Sequence, residues 1–213
     1  TSKWAGGDYF DFFDLGDDRW GILIADVSGH GTPAAVLMAI THAISHQLPG
    51  IAAPPGKVLA HVNRELCLRY TSDPVMFITA FYGIYDPKTK VLTYANAGHP
   101  PPLVRNSISS ISGSISALEA SIPLGITPEV SYIDQSHQLH KGDSLCLFTD
   151  GITEARQPNG PLYGEVRLAE TIARSKGDAR AVLDAIIADV NEFVQGAEPN
   201  DDRTLMIIQI HDA

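Results

Sequence analysis

Clustered apolar residues separated by turn-forming ones open the chain and predict strands. Trp4 to Leu15 carries grouped aromatics (Tyr9, Phe10, Phe12, Phe13). Gly16-Asp17-Asp18 reads as a turn and Trp20 to Asp26 as a second strand, so the two predict a hairpin. Gly29-His30-Gly31 breaks the pattern, and the period then changes to that of a helix. Thr32 is a candidate N-cap and Pro33 suits the first helical position. Ala35, Met38, Ala39, His42 and Ala43 stand near helical spacing, and the helix is expected to reach Gln47. Pro49-Gly50 and Pro54-Pro55-Gly56 punctuate a loop. Lys57 to Tyr70 predicts a second helix burying Val58, Leu59, Val62, Leu66 and Cys67.

Strands dominate from there. Val75 to Tyr85 is apolar and β-branched, Asp86-Pro87-Lys88-Thr89 is a hairpin turn, and Lys90 to Asn96 returns as a strand. Pro101 to Arg105 and Ser114 to Leu118 read as short strands on either side of the Ser-rich stretch Asn106 to Ser112, a loop or sheet edge. Ser131 to Leu139 and Ser144 to Phe148 are expected to pair across Lys141-Gly142-Asp143. Two helices follow, Gly164 to Ser175 and Ala179 to Gln195, and Arg203 to His211 closes as a strand. Helices in pairs and strands joined by short turns predict an α+β fold with antiparallel sheets, helices on their outer faces, and a single domain over residues 1–213.

Composition narrows the function. The 213 residues are 44% hydrophobic and 19% charged, enough for an ordinary globular core. The net charge is −10, the opposite of the basic surface that nucleic acid selects, so no nucleic-acid partner is expected. No apolar run approaches the roughly 20 residues that span a bilayer, so no membrane contact is expected either. Thr1-Ser2-Lys3-Trp4 leads into strand-like sequence rather than a signal peptide. Because the first residue is not Met, we read the chain as the C-terminal part of a longer protein. Cys67 and Cys146 lack CxxC partners and are expected as buried free thiols, which fits a reducing, cytoplasmic compartment.

The chemistry lies in aspartates placed where apolar strands end, beside glycine or a chain reversal. They are Gly6-Gly7-Asp8, Asp26-Val27-Ser28-Gly29-His30-Gly31, Thr149-Asp150-Gly151 and Asn200-Asp201-Asp202-Arg203-Thr204. Each alone is an ordinary turn signal. A carboxylate at such a position is costly to bury unless it is paired or metal-bound, and glycine lets backbone approach an ion. Hard divalent cations take carboxylate and water oxygens. Four dispersed acids are one way to build a site for two of them.

These segments resemble the metal-dependent protein phosphatases of the type 2C, or PPM, family, and most closely the bacterial SpoIIE/RsbU-type branch. The resemblance runs through Ala5-Gly6-Gly7-Asp8-Tyr9-Phe10-Asp11, Ile24-Ala25-Asp26-Val27-Ser28-Gly29-His30-Gly31, Asn96-Ala97-Gly98-His99-Pro100-Pro101, Leu147-Phe148-Thr149-Asp150-Gly151-Ile152-Thr153-Glu154-Ala155 and Asn200-Asp201-Asp202-Arg203-Thr204, in the family's order. It implies a four-layer α-β-β-α sandwich with two Mn²⁺ or Mg²⁺ ions. Asp8, Asp26, Asp150 and Asp201 are then the carboxylate ligands, Asp26 bridging, with the Val27 carbonyl as a further ligand. Asp11 and Asp202 are implied as groups that orient water at the cations. The expected substrate is a phosphoserine or phosphothreonine on a regulatory protein, such as an anti-sigma-factor antagonist, with an upstream sensor or dimerising domain attached.

The reaction expected is in-line attack on phosphorus by a water that two cations acidify, with no covalent phosphoenzyme. The chain departs from the eukaryotic pattern in two places. Ser28 stands where those relatives carry a leaving-group histidine, leaving His30 either as a displaced general acid or as a turn-shaping residue. Only Lys3 stands near their phosphate-binding arginine, and Arg203 is a poor substitute. His99 is read as part of a hydrogen-bonded turn, Pro123-Leu124-Gly125 as packing, and the remaining histidines as sharing no spacing. Two other functions compete: a catalytically degenerate module of the same fold, and a phosphohydrolase acting on small esters.

Overall fold

The structure, a computed structural model, describes residues 6–47, 53–71, 76–107, 112–115, 121–158 and 160–212. The chain divides into two compact units. The first comprises Thr1–His99 and Ala117–Gln138, the second Pro100–Ser116 and Leu139–Ala213.

In the first unit the predicted hairpin is β1 (Asp8–Asp14) and β2 (Trp20–Val27), closed by Asp17 and Asp18 at positive φ. The helix α1 (Thr32–Ser45) follows, then α2 (Pro55–Arg69), β3 (Ile78–Asp86), β4 (Val91–Ala97) and, after the excursion through the second unit, β7 (Gln135–Gln138). The sheet order is β1-β2-β3-β4-β7, antiparallel throughout. One face carries Tyr9, Leu23, Ala25 and Tyr82 against Leu37, Leu59, Val62 and Leu66 of the two helices. Gly56 lets α2 start close to the loop before β7. Its amide donates to Asp134 Oδ1 at 2.6 Å, and a Cβ there would meet the Tyr132 carbonyl at 2.1 Å. Asn63, fully buried, donates to Thr127 O at 2.8 Å and accepts the Gly125 amide at 2.9 Å, which bears out packing as the role of Pro123-Leu124-Gly125.

The second unit holds β5 (Leu103–Arg105), β6 (Ser112–Ser114), β8 (Ser144–Phe148), α3 (Asp150–Thr153), α4 (Gly164–Arg174), α5 (Ala179–Val194) and β9 (Leu205–Gln209). Its sheet runs β6-β5-β8-β9, again antiparallel. Leu168, Ile172, Val182, Ile186 and Val190 of α4 and α5 pack with Cys146 and Phe148 of β8. Between these helices Asp189 gathers Arg167 through two hydrogen bonds of 2.9 Å, the Tyr163 hydroxyl at 2.6 Å and the Thr171 hydroxyl at 3.1 Å. Among the described residues no helix is long and apolar enough to cross a membrane.

The α+β class and antiparallel sheets match expectation, and five details do not. β7 and β8 do not pair with each other: β7 pairs with β4 and β8 with β5 and β9, because the turn at Lys141-Gly142-Asp143 carries the chain from one sheet to the other. Thr32 is the first helical residue; the cap is Gly31, at φ 78, with no side-chain cap bond. The buried stripe of α1 is Ala34, Leu37, Thr41, Ile44 and Ser45, one position off the expected face, because alanines on both sides of the helix blur the periodicity. Cys146 is buried as expected, whereas Cys67 is half-buried and donates weakly to Asn63 Oδ1. The strand expected over Ser114 to Leu118 is found earlier, as β6 at Ser112–Ser114, while Trp4, Val75 and residues 116–118 lie outside the described residues.

The Arg167 guanidinium, ahead of the opposing effect of burial, holds the Asp189 carboxyl well below the ordinary carboxylate range. Its contribution is therefore complete above the unfolded carboxyl pKa of about 4 and is lost as pH falls through that value toward the lowered folded one. Asp189→Asn is expected to cost about 2 kcal/mol at neutral pH. In urea unfolding followed across pH, the gap between variant and parent should close below about pH 4.

Candidate metal centre

β1 and β2 pair so that Asp8 and Asp26 are direct cross-strand partners. Residues opposed in this way project from the same face of the sheet. Tyr9, Asp11 and Phe13 take the other face of β1, toward α1. Two like charges directly opposite each other are destabilising, and a cation between them removes that cost.

Gly7 shapes the space beside this pair. A Cβ on it would lie 2.9 Å from the Val27 carbonyl oxygen and 3.4 Å from Asp26 Oδ1. The Val27 amide also donates to the Gly7 carbonyl at 3.3 Å. A hydrogen at Gly7 thus leaves open a small space lined by one carboxylate, one carbonyl and, at 3.5 Å, the Ala34 methyl group, with Asp8 next in the chain. This oxygen-only donor set fits a hard divalent cation.

The loop after Asp26 is held by Ser28, whose amide donates to Phe77 O at 2.9 Å and whose hydroxyl accepts the Phe77 amide at 2.8 Å. Gly29 and Gly31 have φ of 92 and 78, which lets the chain turn sharply into α1. His30, between them, is exposed. On β3, Thr79 is the cross-strand partner of Asp26, and its hydroxyl meets Nδ1 of buried His99 at 2.9 Å. Asn96 bonds both the amide and the carbonyl of His99 at 2.8 Å, so His99 sits in the hydrogen-bonded turn that was expected.

In the second unit, β8 and β9 end together. Thr149, fully buried, donates its amide to Thr204 O at 3.1 Å and accepts the Thr204 amide on Oγ1 at 3.0 Å. Asp150 follows as the first residue of α3. A Cβ on Gly151 would fall 1.8 Å from the Asp202 carbonyl oxygen, so this turn is in contact with the 201–202 backbone. Asp201 is exposed, and its Oδ1 accepts the Asp202 amide at 2.8 Å. Asp150 and Asp201 are therefore held at one end of one strand pair, as Asp8 and Asp26 are on theirs.

Asp11 does not join Asp8. It stands on the helix-facing side of β1 and meets Tyr9 OH at 2.7 Å, His46 Nε2 at 2.6 Å and the Phe12 amide at 2.7 Å. His42 lies next to it, with Nδ1 at 3.5 Å from Asp11 Oδ2. The reading of the remaining histidines as sharing no spacing is thus corrected. His42 and His46 are four apart on a helix, the spacing that puts two rings on one face, and that was the signal in the sequence. On this same side of the sheet, a cavity of about 530 Å³ opens among α1, α2 and the strands, lined in part by Leu23, Thr41, Val58 and Tyr82. It contains neither Asp8 nor Asp26.

The geometry finds company among known proteins. The family model described as Stage II sporulation protein E (SpoIIE) matches residues 16–211, a stretch that takes in Asp26, Asp150 and Asp201. The phosphoserine phosphatase RsbU of Bacillus subtilis (strain 168) is 37% identical over 160 residues, 75% of this chain and 46% of that protein. The solved RsbU and RsbW domains of Rv1364c from Mycobacterium tuberculosis match 99% of this chain and 56% of theirs, at TM-score 0.79 and 26% identity. The PP2C phosphatase domain of SpoIIE from Bacillus subtilis, solved with a fragment of its regulatory domain, matches 97% of this chain and 59% of that one. Its TM-score is 0.82 at 21% identity, a likeness of fold. The chain spans between a third and a half of the length of the curated relatives it matches first.

Gly151→Ala forces the Asp150 turn away from Asp202 and is expected to lower Mn²⁺ affinity at least about 10-fold by isothermal titration. Gly7→Ala, whose clash is milder, should lower it less.

Proposed function

Because this chain belongs to the SpoIIE family, the SpoIIE/RsbU branch of the PPM-type protein phosphatases, we propose that it hydrolyses phosphoserine or phosphothreonine on a regulatory protein. The observation that carries this reading is the opposition of Asp8 and Asp26 beside the space that Gly7 leaves open. In this reading residues 1–213 act as one phosphatase domain. Asp8, Asp26, Asp150 and Asp201, with the Val27 carbonyl, hold two Mn²⁺ or Mg²⁺ ions. Bound there, the cations supply positive charge to the phosphoryl oxygens and lower the pKa of water.

The chain's own part is positional. Asp26, paired to Asp8 and Thr79 on its two sides, has its backbone fixed near the end of β2, so its carboxylate starts from a set position and face. Ser28 staples the following loop to Phe77 and so fixes the direction of the Val27 carbonyl. Thr149, by bonding Thr204 in both directions, aligns Asp150 with the Asp201 segment. His30 stands exposed in the loop after Asp26, a place from which it can meet solvent or substrate and give up a proton to a departing serine oxygen. No side chain is assigned to covalent attack: the Cys146 thiol is buried and pushed upward by that burial, away from the reactive thiolate form.

The relative RsbU is named a phosphoserine phosphatase, which supports a phosphoserine ester as the bond hydrolysed. The substrate we propose is an anti-sigma-factor antagonist or a similar small regulator, with a sensor or dimerising domain elsewhere in the full-length protein. The two free cysteines suit a reducing, cytoplasmic setting.

The test is Mn²⁺-dependent phosphate release from a phosphoserine peptide, run beside nucleotides and small phosphate esters. Asp26→Asn and Asp150→Asn are each expected to lower kcat/KM by at least about 100-fold, or about 2.7 kcal/mol of transition-state stabilisation. His30→Ala should lower kcat about 10-fold if it protonates the leaving oxygen. Mn²⁺ binding without turnover of any phosphopeptide would instead favour the catalytically degenerate module.

A further inference from the structure

We propose that Asp11, His42 and His46 form a second metal site, of a different chemical kind, which takes a borderline transition-metal ion such as Zn²⁺. The donor atoms are Asp11 Oδ2, His42 Nδ1 and His46 Nε2, and all lie within 4.8 Å of one another. His42 and His46 sit at i and i+4, His42 in the last turn of α1 and His46 at its C-cap, so both rings project from one side of the helix end. β1 supplies the carboxylate from the facing sheet. His46 Nε2 is 2.6 Å from Asp11 Oδ2 and His42 Nδ1 is 3.5 Å from it. Ligands around a tetrahedral Zn²⁺ at its usual bond lengths stand about 3.3 Å apart, so small side-chain rotations open the cluster to admit one ion.

The surroundings are those of a ligand set. Asp11 is held by two donors that are not themselves candidates: the Phe12 amide on Oδ1 and the Tyr9 hydroxyl on Oδ2, a hydroxyl that also lies 3.0 Å from His42 Nδ1 in a contact an ion would replace. Such outer hydrogen bonds orient a ligating carboxylate. Three hydrogen-bond partners, Tyr9, His46 and Phe12, converge on the two carboxylate oxygens of Asp11. The two imidazole side chains are about half exposed, at 51% and 46%, which leaves a path from solvent and room for water as fourth ligand.

Two imidazoles and one carboxylate select Zn²⁺, Co²⁺, Ni²⁺ or Cu²⁺ over Mg²⁺. The oxygen donors beside Gly7 favour hard cations, and they lie on the opposite face of β1. An ion bound by His42, His46 and Asp11 ties the end of α1 to the strand that begins with Asp8.

The experiment uses the full 213-residue chain carrying Asp26→Asn and Asp150→Asn, so that the carboxylate centre contributes little binding. Co²⁺ titration is followed by visible d–d absorption and Zn²⁺ by competition and by thermal midpoint. We expect one equivalent of Co²⁺ with the intense bands of a four-coordinate ion, displaced by Zn²⁺, and a midpoint that rises with Zn²⁺. In that background His46→Ala and His42→Ala should each weaken binding at least about 100-fold and remove the Zn²⁺-dependent rise, while Tyr9→Phe weakens it about 10-fold. His61→Ala, a change on the exposed side of α2, should leave it unaltered. Midpoints measured without metal, repeated with His42→Gln and His46→Gln, separate loss of a ligand from loss of the fold. Absence of the Co²⁺ bands, or affinity unchanged by both histidine variants, overturns the proposal.

Discussion

Opposed carboxylates at the ends of apolar strands are the constraint on which this structure turns. Asp8 faces Asp26 across the first hairpin, and Asp150 follows a strand whose five residues are all buried. Neighbouring negative charges at these half-exposed strand ends cost free energy. The rest of the local architecture serves to hold them in place: glycine at position 7 where any side chain would fill the space, and glycine at 151 where a methyl group would collide with backbone. On the proposed reading, that cost is offset when a cation binds.

Secondary elements divide this labour. The long strands β2 and β3 are pinned by the apolar faces they bury, which fixes register and with it the side on which each acid stands. Residues of β1 alternate between the two jobs. Asp8 faces Asp26, while Asp11, three positions later, faces α1 and its histidines. Helix α1 is bounded at both ends by chemistry: it starts just after the loop that follows Asp26 and ends at His46. A shift of that helix along the sheet therefore acts on both places through covalent connection alone.

The SpoIIE/RsbU membership gives these observations a common reading, the phosphatase chemistry proposed above. The departures within the chain are equally informative. Ser28 occupies a position spent on stapling the loop to Phe77, and His30 is left exposed by the two glycines that flank it. Asp202 contributes a backbone carbonyl to the contact with Gly151, and Arg203 is partly withdrawn by burial, which lowers its pKa. Ser28 and Asp202 thus hold backbone in place.

Most strands and helices, and the family, were legible in the sequence, because strand alternation, Pro and Gly punctuation and the Asp-Gly motifs are local signals that survive without tertiary context. The helix face of α1 was misread because alanine fits a buried and an exposed position equally well, so only packing against Leu23 and Tyr82 selects Ala34 and Leu37. The pairing of β7 and β8 was misread for a related reason: a Lys-Gly-Asp turn looks the same whether it closes a hairpin or carries the chain from one sheet to another. The sequence by itself determined which residue types were on hand, aspartates at strand ends and two histidines four apart. Tertiary structure alone decided who meets whom, since strand register sets the face of every side chain with a period of two. One residue of slip in β1 would have turned Asp8 away from Asp26 and left His46 without its carboxylate.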